Sequence, residues 1–208
     1  EKDITNNYDV TLVEGNVEIL VRTIKVRPTY VEAVYDNEYH ASSSFEYLAG
    51  GYKLIPGDGI TFIYNEGYKD CPGGESQIIK IIFQNEEARS SYKFDTQTNE
   101  IKITPRPISI KPRAISVIYD GKYQGPNDFE YIDPKITLYA GESFVLSYSK
   151  GYKYAGTYKS KIESYKILRN NEDDITKNYN VTLAEGDIEI LVRNISVKPE
   201  DIEVDRKS

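Results

Sequence analysis

Tryptophan and methionine are absent from the 208 residues, and cysteine and histidine occur once each, as Cys71 and His40. A single cysteine cannot close an internal disulfide, and one Cys with one His cannot supply the three or four ligands of a zinc-type site. Any Ser-His-Asp or Cys-His constellation would have to use His40, which stands in a polar stretch between Tyr39 and Ser44 and reads as an exposed loop side chain. Nor does any apolar run approach the roughly 20 residues with which a helix spans a bilayer, so this stretch is expected to insert in no membrane. Without Met or a signal-like apolar segment, the chain reads as an excised part of a longer protein. Basic clusters are missing too. With a net charge of -7 and a pI near 5.0, the chain lacks the grouped Lys and Arg that displace counterions from nucleic acid, and no such partner is expected.

What the chain does have is tyrosine, nineteen of them, and repetition. Asp3-Ile-Thr-Asn-Asn-Tyr-Asp-Val-Thr-Leu-Val-Glu-Gly-Asn-Val-Glu-Ile-Leu-Val-Arg22 returns as Asp174–Arg193. The two differ only at Asn6/Lys177, Asp9/Asn180, Val13/Ala184, Asn16/Asp187 and Val17/Ile188. A diverged copy, Ser91–Thr104, aligns when Tyr92 takes the place of Tyr8 and Tyr179, which gives periods of 84 and 87 residues. Self-similarity at a fixed period makes the repeat the unit of folding. Further equivalences fill each period. Val34-Tyr-Asp-Asn37 matches Ile118-Tyr-Asp-Gly121, Phe45-Glu-Tyr47 matches Phe129-Glu-Tyr131, Gly67-Tyr-Lys69 matches Gly151-Tyr-Lys153, and Cys71 matches Ala155. A position that accepts alanine is a packing position, so Cys71 reads as a buried side chain and not a reactive one.

Period-two alternation dominates. Tyr8, Val10 and Leu12, then Val17, Ile19 and Val21, alternate with polar residues around Glu14-Gly15-Asn16, which reads as a hairpin with a glycine turn. The same reading applies to Tyr92–Thr104 and Tyr179–Val192. Residues 3–22 would then be a hairpin whose own unit is missing, expected to pair with a strand edge of this or a neighbouring molecule. The apolar phase slips at Arg22-Thr23, between Ile103 and Ile108 across Pro105 and Pro107, and at Arg193. A one-residue slip sends side chains to the opposite face, so the unit boundaries are placed there. The organisation expected is 1–22 as the closing hairpin of a preceding repeat, 23–106 and 107–193 as two complete repeats, and 194–208 as the first strand of a following one. Asp201–Ser208, lacking partner strands, is expected to fray or to pair non-natively. About seven short strands per repeat, turn signals every 8 to 12 residues and no helical period predict an all-β chain of two antiparallel sandwiches, end to end on stiff, short joins.

These motifs resemble a known repeat type. The run Glu172–Ile190 leading into Ile195-Ser-Val-Lys-Pro199, together with Tyr119-Asp-Gly121 and Ala155-Gly-Thr-Tyr158, is similar to the MBG and bacterial Ig-like repeats of large bacterial cell-surface or secreted proteins, often adhesins. The resemblance covers both complete repeats. It implies an Ig-like β-sandwich, an extracellular location at the cell wall, neighbouring repeats as partners, and no catalytic residues or cofactor. Unit one departs from the pattern in Tyr35-Asp-Asn37 and in Cys71-Pro-Gly-Gly74, which bears on loop conformation alone.

No residue stands out for chemistry. Calcium candidates are Asp58 and the cluster Glu172-Asp173-Asp174, but no spaced Asp-x-Asp-x-Asp-Gly loop is present and solvated turns are the simpler reading, so no metal is expected. With 33 acidic residues, carboxylate pairs at glycosidase spacing arise by chance. Tyr64, Tyr68, Tyr148, Tyr152 and Tyr154 could form a patch binding a host protein or glycan, although recurrence at one register favours packing. The sequence therefore points to a non-enzymatic spacer in the stalk of a surface protein, with an adhesin repeat as the alternative.

Overall fold

The computed structural model describes Asp3 and residues 5–200. The expectation for Asp201–Ser208 lies outside the described residues.

The described chain is nearly all β. Its strands are β1 (Arg22–Pro28), β2 (Val31–Val34), β3 (Phe45–Tyr47), β4 (Ile60–Tyr64), β5 (Gly73–Ser76), β6 (Ile78–Phe83), β7 (Tyr92–Thr96), β8 (Asn99–Thr104), β9 (Arg106–Pro112), β10 (Ile115–Ile118), β11 (Phe129–Tyr131), β12 (Glu142–Tyr148), β13 (Gly156–Ser160), β14 (Ile162–Arg169), β15 (Asp173–Asp174), β16 (Tyr179–Leu183) and β17 (Gly186–Leu191). The helical pieces are short 3-10 turns at Thr5–Asn7, Glu86–Ser91 and Thr176–Asn178. All-β character thus holds, but the expected antiparallel pairing does not hold throughout. Sheets β3-β1-β7, β11-β9-β16 and β10-β17-β13 are mixed, and sheet β2-β8-β5 contains the parallel pair β2–β8.

Parallel pairs arise because strands that alternate apolar and polar residues lie beside each other after long excursions of the chain. β7 runs parallel to β1 with Tyr92 opposite Arg22, and β16 runs parallel to β9 with Tyr179 opposite Arg106. Likewise β8 is parallel to β2, Ile101 opposite Val31, and β17 is parallel to β10, Ile188 opposite Ile115. The repeat seen in sequence is therefore also a repeat of register. Even the isolated bridges match, His40 with Tyr68 and Gln124 with Tyr152.

Two compact units emerge, one from the described residues up to Tyr30, Ala41–Asn65 and Glu75–Asn99, the other from Val31–His40, Glu66–Gly74 and the described residues from Glu100 onward. The first buries Ile24 and Val26 of β1 with Phe62, Phe83 and Tyr92. Its aromatic rings meet edge to face, Phe45 on Phe62 at 4.7 Å and Phe62 on Phe94 at 5.7 Å, the geometry the ring quadrupoles favour. In the second unit, Ile101 and Ile103 of β8 join Ile108, Ile167, Ile175 and Tyr179, together with Tyr35 and Cys71. Full burial of each such isoleucine is worth about 1.5–3 kcal/mol.

The hairpin expectation is overturned. β16 and β17 lie in different sheets, each parallel to a strand of the β9–β10 ribbon, so Tyr179–Leu191 is one advancing strand with a step and not a reversal. The glycine that looked like a turn serves close approach. A Cβ on Gly186 would stand 2.5 Å from the Pro112 carbonyl oxygen and 2.8 Å from Ser160 Oγ. At the equivalent place in the first copy, Asn99 instead donates from Nδ2 to the Pro28 carbonyl at 2.9 Å.

Residues 8–21 also differ from expectation, since no strand forms there and Val10, Leu12, Val17 and Ile19 are exposed, Leu12 at 90%. The physical reason is occupancy. Each copy holds one set of strands able to receive such a segment, and both sets are already filled, by β7–β8 and by β16–β17.

Gly73 supplies a test of the second unit. Its φ of +92° is a left-handed conformation, and an added Cβ would lie 2.0 Å from the Ile101 carbonyl oxygen. Gly121, at φ +80°, has open space around it. Gly73→Ala should lower the urea midpoint of this unit by the equivalent of roughly 3 kcal/mol, and Gly121→Ala by about 1 kcal/mol. Equal losses for the two variants would refute the close approach.

Candidate functional site

Among the described residues, an extensive polar network lies within the second unit, where strand ends and turns converge. Glu142 opens β12 after Gly141, and Arg169, its cross-strand partner, closes β14. Tyr35 follows β2, its N–H donating to the Thr104 carbonyl at 2.9 Å. Asp70 and Cys71 belong to the turn before β5, where Gly73 N–H donates to Asp70 O at 2.9 Å. Asn178 and Tyr179 stand where the 3-10 turn Thr176–Asn178 passes into β16.

The side chains connect without a gap. Cys71 N–H donates to Asn178 Oδ1 at 2.8 Å, and Asn178 Nδ2 donates to Asp70 Oδ1 at 2.5 Å. Arg169 grips the same carboxylate with both terminal nitrogens, at 2.5 and 3.2 Å, and donates from Nη2 to the Tyr35 hydroxyl at 3.1 Å. The Tyr35 and Tyr179 hydroxyls donate to the two oxygens of Glu142, one each. Tyr139 N–H adds a third bond to Glu142 Oε2, at 3.1 Å. The rings of Tyr139 and Tyr179 meet Tyr35 edge-on at 5.9 and 5.4 Å. Arg106 covers Tyr139 from 4.3 Å.

Electrostatics follow from this geometry. The hydrogen bonds from Arg169 hold the Asp70 carboxyl below its ordinary range, against the opposing effect of burial. Burial, reinforced by the Glu142 hydrogen bond, pushes the Tyr35 hydroxyl up to about 12 and raises Tyr179 as well. Burial and the nearby Asp70 charge raise the Cys71 thiol, so Cys71 stays protonated and packed. Both carboxylates are filled with donors, and the tyrosines carry their protons well beyond neutral pH. Arranged so, the network joins five stretches of backbone and leaves no oxygen of Glu142 open to a substrate. Arg169 Nε, buried and without a partner among the described residues, is its one unsatisfied donor.

The residues singled out in sequence fall elsewhere or in supporting roles. His40 is half-buried, not exposed as expected. Its Nε2 lies 2.9 Å from Asp36 Oδ1, and Gln124 repeats the contact on Asp120 at 3.0 Å, which makes the position a clip across a turn. Asp58 accepts the Tyr92 hydroxyl, a reduced version of the Glu142 arrangement. Asp174 caps the turn at Thr176, through N–H at 3.1 Å and the hydroxyl at 2.6 Å. Tyr64, Tyr68 and Tyr148 are half-buried, while Tyr152 and Tyr154 are exposed, Tyr152 stacking on Tyr158 at 4.0 Å. No group of three or more His, Cys, Asp or Glu suited to a metal ion is present among the described residues.

Sequence reasoning did not find Asp70, Glu142, Arg169 or Asn178. The signal lay in the differences between copies, where Asp70 stands against Tyr154 and Asn178 against Ser91. Comparison with models of protein families, with curated proteins and with solved structures finds no match to this chain.

Stability should fail at both ends of the pH scale for separate reasons. A depressed Asp70 stabilises the fold above the ordinary carboxylate value of 3.8, and that contribution disappears as pH falls through its lowered value. Raised tyrosines stabilise below pH 10 and lose that contribution as pH rises toward about 12. Urea midpoints recorded against pH should show Asp70→Asn flattening the acid limb and Tyr35→Phe flattening the alkaline limb. Parallel curves for both variants and the parent would contradict the assignment.

Proposed function

We propose that this chain is a run of two copied β-sandwich modules of the Ig-like kind, placed end to end, and that its role is structural and non-enzymatic. The modules would span 23–106 and 107–193. In this reading residues 3–22 are the closing strands of a preceding module, and 194–208 open a following one. Such modules serve as spacers in the stalk of a bacterial cell-surface protein, with neighbouring repeats as their partners. One observation carries the reading: the same strand set, with residue-equivalent parallel register at Tyr92/Arg22 and Tyr179/Arg106, is built twice. The near-absence of Cys and His, and a network in which both Glu142 oxygens are engaged by tyrosine hydroxyls, support a scaffold over a reaction centre.

A spacer must have reach. A compact globule of this length has a radius of gyration of about 17 Å. Small-angle scattering should give a clearly larger value for the monomer. A radius at the compact value would remove the spacer reading.

A second reading, an adhesin repeat for a host glycoprotein or glycan, draws on the stacked Tyr152–Tyr158 pair beside the exposed Tyr154. Binding to mucin or a glycan array should then fall at least tenfold in a Tyr152→Ala/Tyr154→Ala variant. Signal at background for the parent chain would end this alternative.

A further inference from the structure

A strand edge of the first unit is left unpaired. In the antiparallel ribbon of β4 and β6, Gln84 N–H donates to the Gly59 carbonyl at 2.9 Å, and Asn65 N–H to that of Gln77 at 3.1 Å. Ladder bonds alternate along an antiparallel strand, so Thr61 and Ile63 turn their backbone groups toward β6, and Ile60, Phe62 and Tyr64 turn theirs away. The outward N–H and C=O groups of these three residues meet no partner among the described residues. They border a groove of about 290 Å³ lined also by Ser43, Ser44 and Phe45. β12 repeats the edge at Phe144, Leu146 and Tyr148, since Asn170 N–H donates to Gly141 O at 2.7 Å and Ser149 N–H to Lys161 O at 2.9 Å. Both edges lie in mid-chain, one with a copy before it in sequence and the other with a copy after it.

The copies differ in how this edge is guarded. Next to β11 in the second copy stands the ion pair Arg113–Asp128, at 2.7 Å, whereas the same places in the first hold Thr29 and Ser44, hydroxyl to hydroxyl at 3.0 Å. Burial and the Asp128 charge raise the Tyr148 hydroxyl on β12, while burial alone raises that of Tyr64 on β4. On the outer face of the ribbon, Ile63, Ile79 and Ile82 are 38, 61 and 38% exposed, where the second copy carries Ser147, Glu163 and Lys166. Thr61 against Val145 and Lys80 against Ser164 run the other way. Natural sheets keep open edges apart with charge, and β4 has none from Ile60 to Tyr64, although β6 beside it has Lys80.

We propose that two molecules of this chain pair through β4, antiparallel about a two-fold axis at Phe62, so that their ribbons join into one sheet ordered β6-β4-β4-β6. A neutral edge is met without any buried unpaired charge by an equally neutral one, and a two-fold axis makes this edge its own complement. Centring on Phe62 sets Ile60 opposite Tyr64 and engages all three outward-facing residues of each molecule, whereas centring on Thr61 or Ile63 engages two. On the outer face Thr61 then stands beside Ile63 of the second molecule, in one row with Ile82, its partner on β6. Exposed isoleucine is thereby covered by isoleucine, and no like charges within the strands meet across the seam. Ser43 and Ser44, small and uncharged, let the flanks of the two grooves approach. The seam is short, which puts the pair among transient associations. The pairing depends on the fold of the first unit and not on the spacer reading.

Sedimentation of the full chain should show a dimer share that rises with concentration and no larger species, because a two-fold axis closes the seam. Thr61→Lys/Ile63→Lys, at two exposed positions that face each other across it, should leave the circular dichroism unchanged and weaken dimerisation at least tenfold. Thr61→Glu/Ile63→Glu should be weakened as much by itself, and a mixture of the two variants should form heterodimers. Val145→Lys/Ser147→Lys, at the same places on β12, should dimerise as the parent does. For register, chains carrying Thr61→Cys and chains carrying Ile63→Cys, both in a Cys71→Ala background, should oxidise to the mixed disulfide faster than either links to itself. Monomers at every concentration would overturn the pairing, whether the edge then receives a foreign strand or nothing. So would growth past the dimer, full-strength dimers of the double Lys variant, equal weakening by the β12 variant, or self-linking as fast as mixed linking. A strictly monomeric chain with an enlarged radius of gyration would overturn the pairing alone and leave the spacer reading standing.

Discussion

Each copy is held closed by a parallel pairing between its opening strand and one that arrives about seventy residues later, Tyr92 beside Arg22 and Tyr179 beside Arg106. Parallel strands cannot be joined by a tight turn, so everything between them must first be laid out. That constraint orders the rest. The intervening strands form the antiparallel pairs β4–β6 and β12–β14, and the arriving strand completes the sheet against which they pack. Loop closure over such a separation is costly in entropy, and the buried isoleucines of the strands that follow directly, Ile101 and Ile103 of β8 and Ile188 and Ile190 of β17, help offset it.

The sequence was legible where a single physical cause produced a single pattern. Alternation marked the strands, and the period marked the copies. It misled where two causes leave the same trace. A change of apolar phase around a glycine fits a hairpin, but it fits equally a strand that steps from one sheet to the next, and Gly186 serves the second purpose. The phase slip between Ile103 and Ile108, at which the sequence reading places a unit boundary, falls between β8 and β9, which lie in different sheets. Pro105, between them, cannot donate a ladder hydrogen bond, which is the information Gly186 lacked.

The polar network was illegible for a different reason. Asp70, Glu142, Arg169 and Asn178 are spread over more than a hundred residues, and none forms a motif with its sequence neighbours. Their meeting depends on strand register, which puts Glu142 opposite Arg169 and Tyr179 at the head of β16. Removing one member of such a cluster leaves its partners partly desolvated and unpaired. The first unit makes do with Tyr92 on Asp58.

Gly186 and the step it permits have an evolutionary corollary. Because Asp3–Arg22 and Asp174–Arg193 are almost the same and are followed by the matching runs Thr23-Ile-Lys-Val-Arg-Pro28 and Asn194-Ile-Ser-Val-Lys-Pro199, unequal crossing-over between their coding stretches would delete or duplicate the whole intervening length without disturbing the apolar and polar alternation. Such an exchange would change the length in whole increments and keep the alternation intact at the join.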